Sequence, residues 1–359
     1  MWLYFLIGAI IGIYAAVAAI IFLYGRKGVR IHKDYNYRPS VTAFIPTYNE
    51  EIHIARKLDE LLRQTYPIDE ILVIDCSTDS TPEIVKQYSQ RYPNIILVRQ
   101  SSRVGMARTL NQAIDTAKGE IFIKTDADTY LHSDDAIREV VACFADPAIG
   151  AVTCSRVNRN IDMEDAYVKF LTLIQIAESN IDSIVIGNSP SLLAFRRSIM
   201  EHVDPYSMAE DTEEVVRIRR KGYRAIIEPT VVTEEEIPTD MKLRRLQKDR
   251  RAEGIVRVLL KNRDMLFNPR YGKYGLLVLP IEFFILVISP FLSLVFTGLL
   301  LYTAALYHPL LSVLMLTGIV LPMATKRTLL SAIIDVNISG LIATLKTLRK
   351  PEPLWKKVR

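Results

Sequence analysis

The order of apolar and polar residues divides this chain into an apolar start, a central part with short apolar runs, and an apolar end. Residues 2–24 are almost uninterrupted apolar side chains, long enough for a helix to cross a hydrocarbon core of ~30 Å. Positive charge favours the cytoplasmic side of a membrane, and the basic residues that follow at once are Arg26, Lys27, Arg30 and Lys33. The pattern predicts a retained transmembrane anchor at residues 1–25, with a buried core helix as the alternative.

Short apolar runs alternate with amphipathic stretches in residues 38–232, which is typical of a sheet with crossover helices. The runs predict strands at residues 41–45, 71–74, 95–98, 121–123 and 150–154. The other stretches predict helices at residues 50–62, from Thr81, and at residues 106–116, 163–179 and 215–221. We therefore expect an α/β domain whose sheet is doubly wound and mostly parallel.

The chain becomes basic and then apolar again after the predicted domain. Residues 233–272 predict interface helices, because each Lys or Arg near anionic head groups contributes about 1 kcal/mol. Residues 273–325 predict a pair of transmembrane helices. The apolar part of residues 326–359 has basic residues at both ends, so we expect this amphipathic segment to lie on the membrane surface. This arrangement gives about three crossings, with four as the alternative.

Composition favours a membrane-associated protein with anionic substrates. Half of the residues are hydrophobic and the formal net charge is +5, with basic residues clustered beside the apolar ends. That distribution favours a membrane surface and anionic substrates over nucleic acid. The three cysteines have no C-x-x-C spacing, which suggests a reducing compartment and no structural zinc.

The central chemical feature is a pair of carboxylates, Asp126 and Asp128, directly after the predicted strand at residues 121–123. Alternate positions of a strand share one face, and ligands of open α/β sheets bind at the carboxyl ends of the strands. Two carboxylates placed there favour a hard cation, Mg²⁺ or Mn²⁺, that a substrate's phosphates also bind. A solvated turn is the alternative.

Other predicted strands also end in polar residues. Because parallel strands bring their carboxyl ends to one edge, we expect the residues that follow these strands to converge near the Asp126/Asp128 pair. They are Tyr48, Asn49, Glu50, Asp75, Asp79, Arg103 and Gly105.

Five motifs, in this order, resemble those of family 2 glycosyltransferases, which have the nucleotide-binding fold called GT-A. They are residues 45–50 (I-P-T-Y-N-E), 73–81 (V-I-D-C-S-T-D-S-T), 126–128 (D-A-D), 209–211 (A-E-D) and 247–251 (Q-K-D-R-R). The last motif is similar to the Q-x-x-R-W motif of cellulose- and hyaluronan-synthase-like members. The resemblance covers about residues 40–255.

The resemblance implies a metal-dependent glycosyltransferase that uses a UDP- or GDP-linked sugar. It implies Asp211 as the general base for the acceptor hydroxyl, a role that can contribute roughly 10²–10⁴ in rate. Since a single base acts in line, we expect inversion at the anomeric carbon. Asp126 and Asp128 are the implied ligands of Mg²⁺ or Mn²⁺. The implied nucleotide-binding residues are Pro46, Tyr48, Glu50, Asp75, Arg103 and Asp126. The implied acceptor and diphosphate residues are Gly187, Asn188, Glu210, Gln247 and Arg250.

The sequence departs from the family pattern at three positions. Cys76 stands where many relatives have a second Asp, Met106 where many have a Lys, and Arg251 in place of the Trp. These departures put in doubt a second base contact, a phosphate contact and stacking on an acceptor sugar, respectively.

The expected acceptor is a lipid-linked glycan, such as one on a polyprenyl phosphate, at the cytoplasmic face of the plasma membrane. Three crossings are too few to enclose a polymer channel, which disfavours a processive polysaccharide synthase of the cellulose or hyaluronan type. Membrane lipids are expected partners and nucleic acid is not. The synthase remains one alternative, and an inactive sugar-nucleotide-binding scaffold is another.

Overall fold

The computed structural model describes residues 2–158, 165–187, 192–235, 240–307 and 329–350. Three sequence predictions lie outside these residues: the loop position Asn188, the returning apolar helix at residues 310–324, and the basic C-terminus after residue 350. The described part contains a mixed sheet with helices on both faces, and apolar helices from both ends of the chain.

The described strands form an eight-stranded sheet in the order β3-β2-β1-β4-β7-β6-β8-β5. Strands β1 to β4 pair in parallel, as predicted. The other half is mixed, because β7 runs antiparallel to β4 and β6, and β5 runs antiparallel to β8. The strands are β1 (Val41–Thr47), β2 (Glu70–Asp75), β3 (Ile95–Arg99), β4 (Ile121–Lys124), β5 (Thr129–Leu131), β6 (Ile149–Asn158), β7 (Leu193–Arg196) and β8 (Arg224–Glu235).

The sheet is covered on both faces, so its parallel strands are apolar throughout, as such strands usually are. In β1, Ala43 and Ile45 belong to one buried cluster with Leu58, whereas Phe44 belongs to a second cluster with Leu110. The helices of the domain and its interface are α2 (Ile54–Leu62), α3 (Thr81–Arg91), α4 (Met106–Thr116), α5 (Ala136–Cys143), α6 (Asp165–Ile181), α7 (Glu210–Arg220) and α8 (Met241–Lys261).

Three boundaries differ from the sequence predictions. Helix α2 begins at Ile54, four positions later than residue 50, because Asn49 has a left-handed φ of 56° and the next residues form turns. Helix α7 begins at Glu210 and not at residue 215, so the acidic cluster forms its first turn, where the helix dipole favours negative charge. The predicted boundary at residue 233 falls inside β8, which continues to Glu235.

Two described helices are long and apolar enough to cross a membrane: Phe5–Gly25, within α1 (Trp2–Gly25), and Tyr274–Leu306. The second contains π-helical turns at Tyr274–Val278 and Phe284–Ile288, followed by α9 (Leu279–Phe283) and α10 (Ser289–Tyr307), respectively. A proline stands second in α9 and in α10. Proline lacks the N–H of the α-helical ladder and displaces the carbonyl four residues earlier, and the wider π turn accommodates that displacement.

Helix α11 (Leu329–Lys346) packs against α8. Asp335 of α11 forms ion pairs with Arg245 and Lys248, and the Ser339 hydroxyl donates to Asp249 Oδ1 at 3.1 Å. The acidic residue of this predicted surface segment therefore neutralises part of the basic α8.

A second polar contact joins α11 to α1 and α10. The Tyr14 hydroxyl lies 2.8 Å from Ser293 Oγ and donates to the Ser289 carbonyl at 3.2 Å. Both serine hydroxyls in turn donate to Asn337 Oδ1. These bonds form a polar seam among otherwise apolar helices.

Candidate active site

Asp75 lies at the last position of β2, where the sequence placed it, and it is fully buried. Its carboxylate accepts hydrogen bonds from Thr47 Oγ1 at 2.7 Å and from the Ser77 backbone N–H at 3.2 Å. It also forms an ion pair with Arg99. Asp75 therefore joins the ends of β1, β2 and β3 at this edge of the sheet.

The loop after β1 is fastened to the loop after β2. Asn49 donates its backbone N–H to Ser77 Oγ at 2.7 Å, and its side-chain oxygen accepts the Thr78 N–H at 2.9 Å. The Glu50 N–H donates to Thr81 Oγ1 at 2.9 Å. Asn tolerates the left-handed backbone better than most residues, which explains how the chain turns sharply here.

Arg103 reaches this loop from the segment after β3. Its guanidinium carbon lies 4.4 Å from the centre of the Tyr48 ring, a cation–π contact. Pro46 precedes this loop within β1, opposite Ile74 of β2. The structure therefore brings together the predicted nucleotide-binding residues from three strand ends.

Asp126 follows β4 at the same edge of the sheet. Its Oδ1 is buried without a hydrogen-bond partner in the described residues. Burying a carboxylate oxygen in this way costs free energy unless a bound ligand interacts with it. Burial raises the pKa of Asp126 to about 6, the neighbouring Lys124 opposes the rise, and Glu210, Glu235 and Glu50 add to it. This concentration of carboxylates favours a bound cation.

Asp128 is half-buried in the turn between β4 and β5. The turn is closed by Thr129, whose hydroxyl donates to the Asp126 carbonyl at 3.0 Å. Within the described part of the chain, no three acidic, His or Cys side chains gather to hold a metal by themselves. Two carboxylates fit Mg²⁺ or Mn²⁺ only when other oxygens complete the shell, as substrate phosphates commonly do.

Lys124 links this edge to helix α7. Its ammonium donates to Glu210 Oε1 at 2.8 Å, and both residues are buried. Burial disfavours both charges, but each favours the other, so the pKa of Lys124 is raised and that of Glu210 is lowered. The pair fixes the start of α7 and thereby Asp211, the next residue.

Asp211 is half-buried in the first turn of α7, and its Oδ1 accepts the Thr212 N–H at 2.8 Å. Gly187 lies directly against it: a Cβ built on Gly187 would stand 2.7 Å from the Asp211 carbonyl oxygen. The structure thus brings two predicted acceptor-side residues together. Asn188, the next predicted residue, is outside the described residues.

Helix α8 contributes positive charge to the same region. Arg250 interacts electrostatically with Glu210, Arg103 and Arg251, and burial together with the two arginines lowers the pKa of Arg250 to about 10 against the opposing Glu210. A concentration of guanidinium groups matches the oxygens of a diphosphate. Gln247 is half-buried one turn before Arg250, as the spacing predicted.

Arg251, in the position of the family tryptophan, forms an ion pair with the buried Glu235. It donates to Glu235 Oε1 at 3.1 Å, while Arg156 donates to Glu235 Oε2 at 2.9 Å. Burial opposes the charge of Arg251, but Glu235, and also Asp211 and Asp126, raise its pKa. Arg251, which replaces the motif tryptophan, therefore connects α8 to the sheet through Glu235.

Several of these residues escaped the sequence analysis. Lys124 could have been recognised, because strand alternation places it on the same face as Asp126. Glu235 and Arg156 had no such signal, since their contact depends on the pairing of β6 with β8. Arg99 had only a weak signal in the sequence: it ends β3, and the parallel pairing of β2 with β3 places it beside Asp75.

The comparisons with known proteins agree with this geometry. Residues 42–204 match the family described as Glycosyl transferase family 2. A probable glycosyltransferase, YdaM, of Bacillus subtilis (strain 168) is 28% identical over 242 residues, and the match covers 62% of this chain and 57% of that protein. This chain therefore spans little more than half the length of that relative.

Two further relatives are matched over more of their length. A poly-β-1,6-N-acetyl-D-glucosamine synthase of Staphylococcus aureus is 26% identical over 303 residues, covering 80% of this chain and 72% of the synthase. The solved structure of the mannosyltransferase PcManGT from Pyrobaculum calidifontis, in complex with GDP-Man and Mn²⁺, superposes with a TM-score of 0.79 at 30% identity, covering 96% of this chain and 99% of that one.

Proposed function

This chain belongs to glycosyl transferase family 2, and from that premise we propose that it moves a sugar from a nucleoside diphosphate to a lipid-linked glycan, with inversion at the anomeric carbon. The predicted family, GT-A fold and glycosyltransferase class are confirmed. The donor, acceptor, metal and residue roles belong to the proposal. GDP-mannose is the donor to test first, because the mannosyltransferase that matches almost the whole chain was solved with it.

The buried Oδ1 of Asp126 supports this function most strongly. It lacks a hydrogen-bond partner within the described residues, and it lies at the sheet edge close to Glu50 and Glu210. Arg250 interacts electrostatically with both Glu210 and Arg103. An acidic position beside a basic one is what a metal-bound diphosphate requires, since the metal needs carboxylates and the phosphates need guanidinium groups.

The residues divide the reaction among three tasks. Asp126 and Asp128 would hold Mg²⁺ or Mn²⁺, which supplies positive charge for the leaving diphosphate. Arg250, Arg103 and Gln247 would bind the diphosphate and orient the donor. Asp211 would accept the proton of the acceptor hydroxyl while that oxygen forms its bond to the anomeric carbon and the diphosphate leaves. Because Asp211 would act in line as a single base, without a covalent intermediate, each transfer would invert the anomeric centre.

The lipid-linked acceptor and the membrane location rest on the apolar helices. In the most apolar stretch of each helix, Phe5–Gly25 and Tyr274–Leu306, only 11% of the stretch is buried. A core helix of a soluble protein is mostly buried. Exposed basic residues, Arg26, Lys27 and Arg30, directly follow α1. A bilayer would cover the apolar faces and place the active site beside its cytosolic surface.

Purified protein, labelled GDP-mannose, Mn²⁺ and a lipid extract test the proposal. Asp211→Asn should lower sugar transfer by roughly 10²-fold or more and leave donor binding unchanged. Asp115→Asn is the control, because Asp115 is 64% exposed on α4. Equal transfer by Asp211→Asn would remove the base assignment. A long polymer instead of a glycolipid bearing a single added sugar would favour the processive synthase.

A further inference from the structure

Helix α2 carries two charged side chains that lie inside the protein. Lys57 is fully buried and Glu60 is 4% exposed, beside the equally buried Ile54 and Leu58 of the same helix. The Lys57 ammonium donates to Glu60 Oε2 at 2.8 Å, so the two charges neutralise each other. Apolar residues in place of such a buried pair often leave stability unchanged or raise it. Stability alone therefore does not explain why α2 has this pair.

The other oxygen of Glu60 reaches the strand that follows the D-x-D. Glu60 Oε1 accepts the Leu131 backbone N–H at 2.5 Å. Leu131 ends β5, which stands last in the order of the described sheet and pairs with β8. The ladder to β8 uses the neighbouring N–H, because His132 donates to the Val232 carbonyl at 3.0 Å. Glu60 therefore binds the open edge of β5, as the carbonyl of a further strand would.

Two further contacts to this part of the chain come from the same face of α2. Positions 53, 60 and 64 follow the helical period, so they share one face. The Tyr130 hydroxyl lies 2.8 Å from His53 Nδ1, and Gln64 Nε2 donates to the Ser133 carbonyl at 3.1 Å. Glu60 stands between these contacts, and α2 thus holds the residues just after the D-x-D at three points.

Strand β5 is in turn joined to the D-x-D itself. The Thr129 hydroxyl donates to the Asp126 carbonyl at 3.0 Å, which closes the turn that contains Asp128. Asp128 directly precedes β5, and Leu131 ends this strand of three residues. Because the connection is so short, a shift of β5 would displace both carboxylates of the D-x-D.

We propose that Glu60 is a positioning residue for the D-x-D, which fixes the place of Asp126 and Asp128 by accepting the Leu131 N–H while Lys57 holds its other oxygen. The inference rests on the proposed function, because the effect reaches the reaction through the metal that the D-x-D would hold. Residues that support metal ligands from behind typically change metal affinity by about 10–100-fold when they are replaced. Glu60 therefore acts on metal affinity and not through contact with the sugar donor.

Two double variants separate this hydrogen bond from the buried charges. Lys57→Met/Glu60→Leu (the Leu variant) and Lys57→Met/Glu60→Gln (the Gln variant) both remove the ion pair, but only the Gln variant keeps an oxygen for the Leu131 N–H. We expect the Leu variant to need about tenfold more Mn²⁺ for half-maximal GDP-mannose binding, with the Kd of GDP-mannose at saturating Mn²⁺ unchanged within about twofold. The Gln variant should need Mn²⁺ within about twofold of the original requirement, because it keeps the hydrogen bond. An equal Mn²⁺ requirement in the two variants would overturn the inference.

Hydrogen exchange tests the same bond without metal, donor or sugar transfer. In detergent or lipid nanodiscs, amides of residues 126–131 should exchange faster in the Leu variant than in the original protein, and those of the Gln variant should not. Exchange in β1 is the internal control, since general destabilisation would raise it as well. If the original protein binds neither Mn²⁺ nor GDP-mannose, the proposed function fails, while the exchange result still decides whether Glu60 holds the D-x-D turn. Unchanged exchange in the Leu variant would refute the inference.

Leu131→Pro covers the case in which the Leu variant does not fold. Proline has no N–H, so this substitution removes the donor and leaves the pair of Lys57 and Glu60 in place. Edge strands tolerate proline where the N–H does not take part in the ladder. Leu131→Ala is the matched control, since it shortens the same side chain and keeps the N–H. We expect the higher Mn²⁺ requirement in Leu131→Pro alone, and equal requirements in these two variants would contradict the inference.

Discussion

The ammonium group of Lys124 donates a hydrogen bond to Oε1 of Glu210 at 2.8 Å. This bond joins the strand that precedes the D-x-D to the helix that begins at Glu210 and carries Asp211. One buried ion pair therefore fixes the position of the D-x-D, on the predicted donor side, relative to Asp211, on the predicted acceptor side. Because both partners are buried, neither can be removed without leaving a charge that water does not reach.

Lys124→Met should destabilise the fold strongly, because it leaves the Glu210 carboxylate buried without its partner. Breaking a buried pair in this way typically costs about 3–5 kcal/mol. Thermal unfolding of the purified variant measures the loss. The double variant Lys124→Met/Glu210→Gln should recover part of it, since no unpaired charge remains. A double variant less stable than the single one would contradict this interpretation.

Asp126→Asn should weaken metal-dependent donor binding at least about tenfold, or 1.4 kcal/mol, because the amide offers one neutral oxygen where a cation needs a carboxylate. Calorimetry with GDP-mannose, with Mn²⁺ and then with a chelator, measures the effect. Asp134→Asn is the matched control, since its side chain is 57% exposed after β5. Chelator-insensitive binding by the original protein would remove the metal role from the D-x-D.

Restoring the family residue with Arg251→Trp should reduce stability and not increase transfer. The substitution removes one of the two guanidinium groups that neutralise the buried Glu235, a loss of about 1–3 kcal/mol. Thermal unfolding and a transfer assay together measure it. Arg251→Lys should retain more stability than Arg251→Trp because it keeps the charge. Higher activity in Arg251→Trp would show that the motif tryptophan was the missing element.

Glu214 should make stability fall as pH rises. It is 1% exposed, neither carboxylate oxygen has a hydrogen-bond partner in the described residues, and burial raises the pKa of Glu214 from the ordinary 4.5 to about 8. Between these values the folded state binds the proton that the unfolded chain has released, so stability decreases with pH across this window. The loss at pH 8 and above is at most about 5 kcal/mol.

Glu214→Gln should remove that loss, because a carboxamide does not ionise. Its melting temperature should exceed that of the original protein by several degrees at pH 8, with little difference near pH 4.5. Glu83→Gln is the control, because Glu83 is exposed on α3 and should change stability little at either pH. Parallel pH profiles for Glu214→Gln and the original protein would contradict the assignment.

The first half of the domain could be predicted from local pattern alone. Helix α4 spans the predicted residues 106–116, and β4 differs from its prediction by one residue, since their apolar periods are uninterrupted. That Asp75 and Asp126 lie at the same edge of the sheet followed from a general rule for parallel strands. Those positions depend on neighbours in sequence and on a regular topology.

The second half depends on contacts that sequence neighbours do not reveal. The sequence pattern placed residues 233–235 in the interface helices, yet Glu235 is a buried strand residue because Arg156 and Arg251 neutralise it. Pairings of this kind arise only when distant segments fold together, so they could not be predicted from the pattern.

The hydrogen bond between Tyr14 and Ser289 has a consequence for how the protein is made. Ser289 is synthesised 275 residues after Tyr14, so the ribosome completes the whole catalytic domain before the tyrosine hydroxyl meets its serine partner. Until then the Tyr14 hydroxyl lies among apolar side chains without its serine partner. A chain that ended before Ser289 would lack this bond for good, and the packing of the first helix on the later ones would be weaker by the worth of that bond.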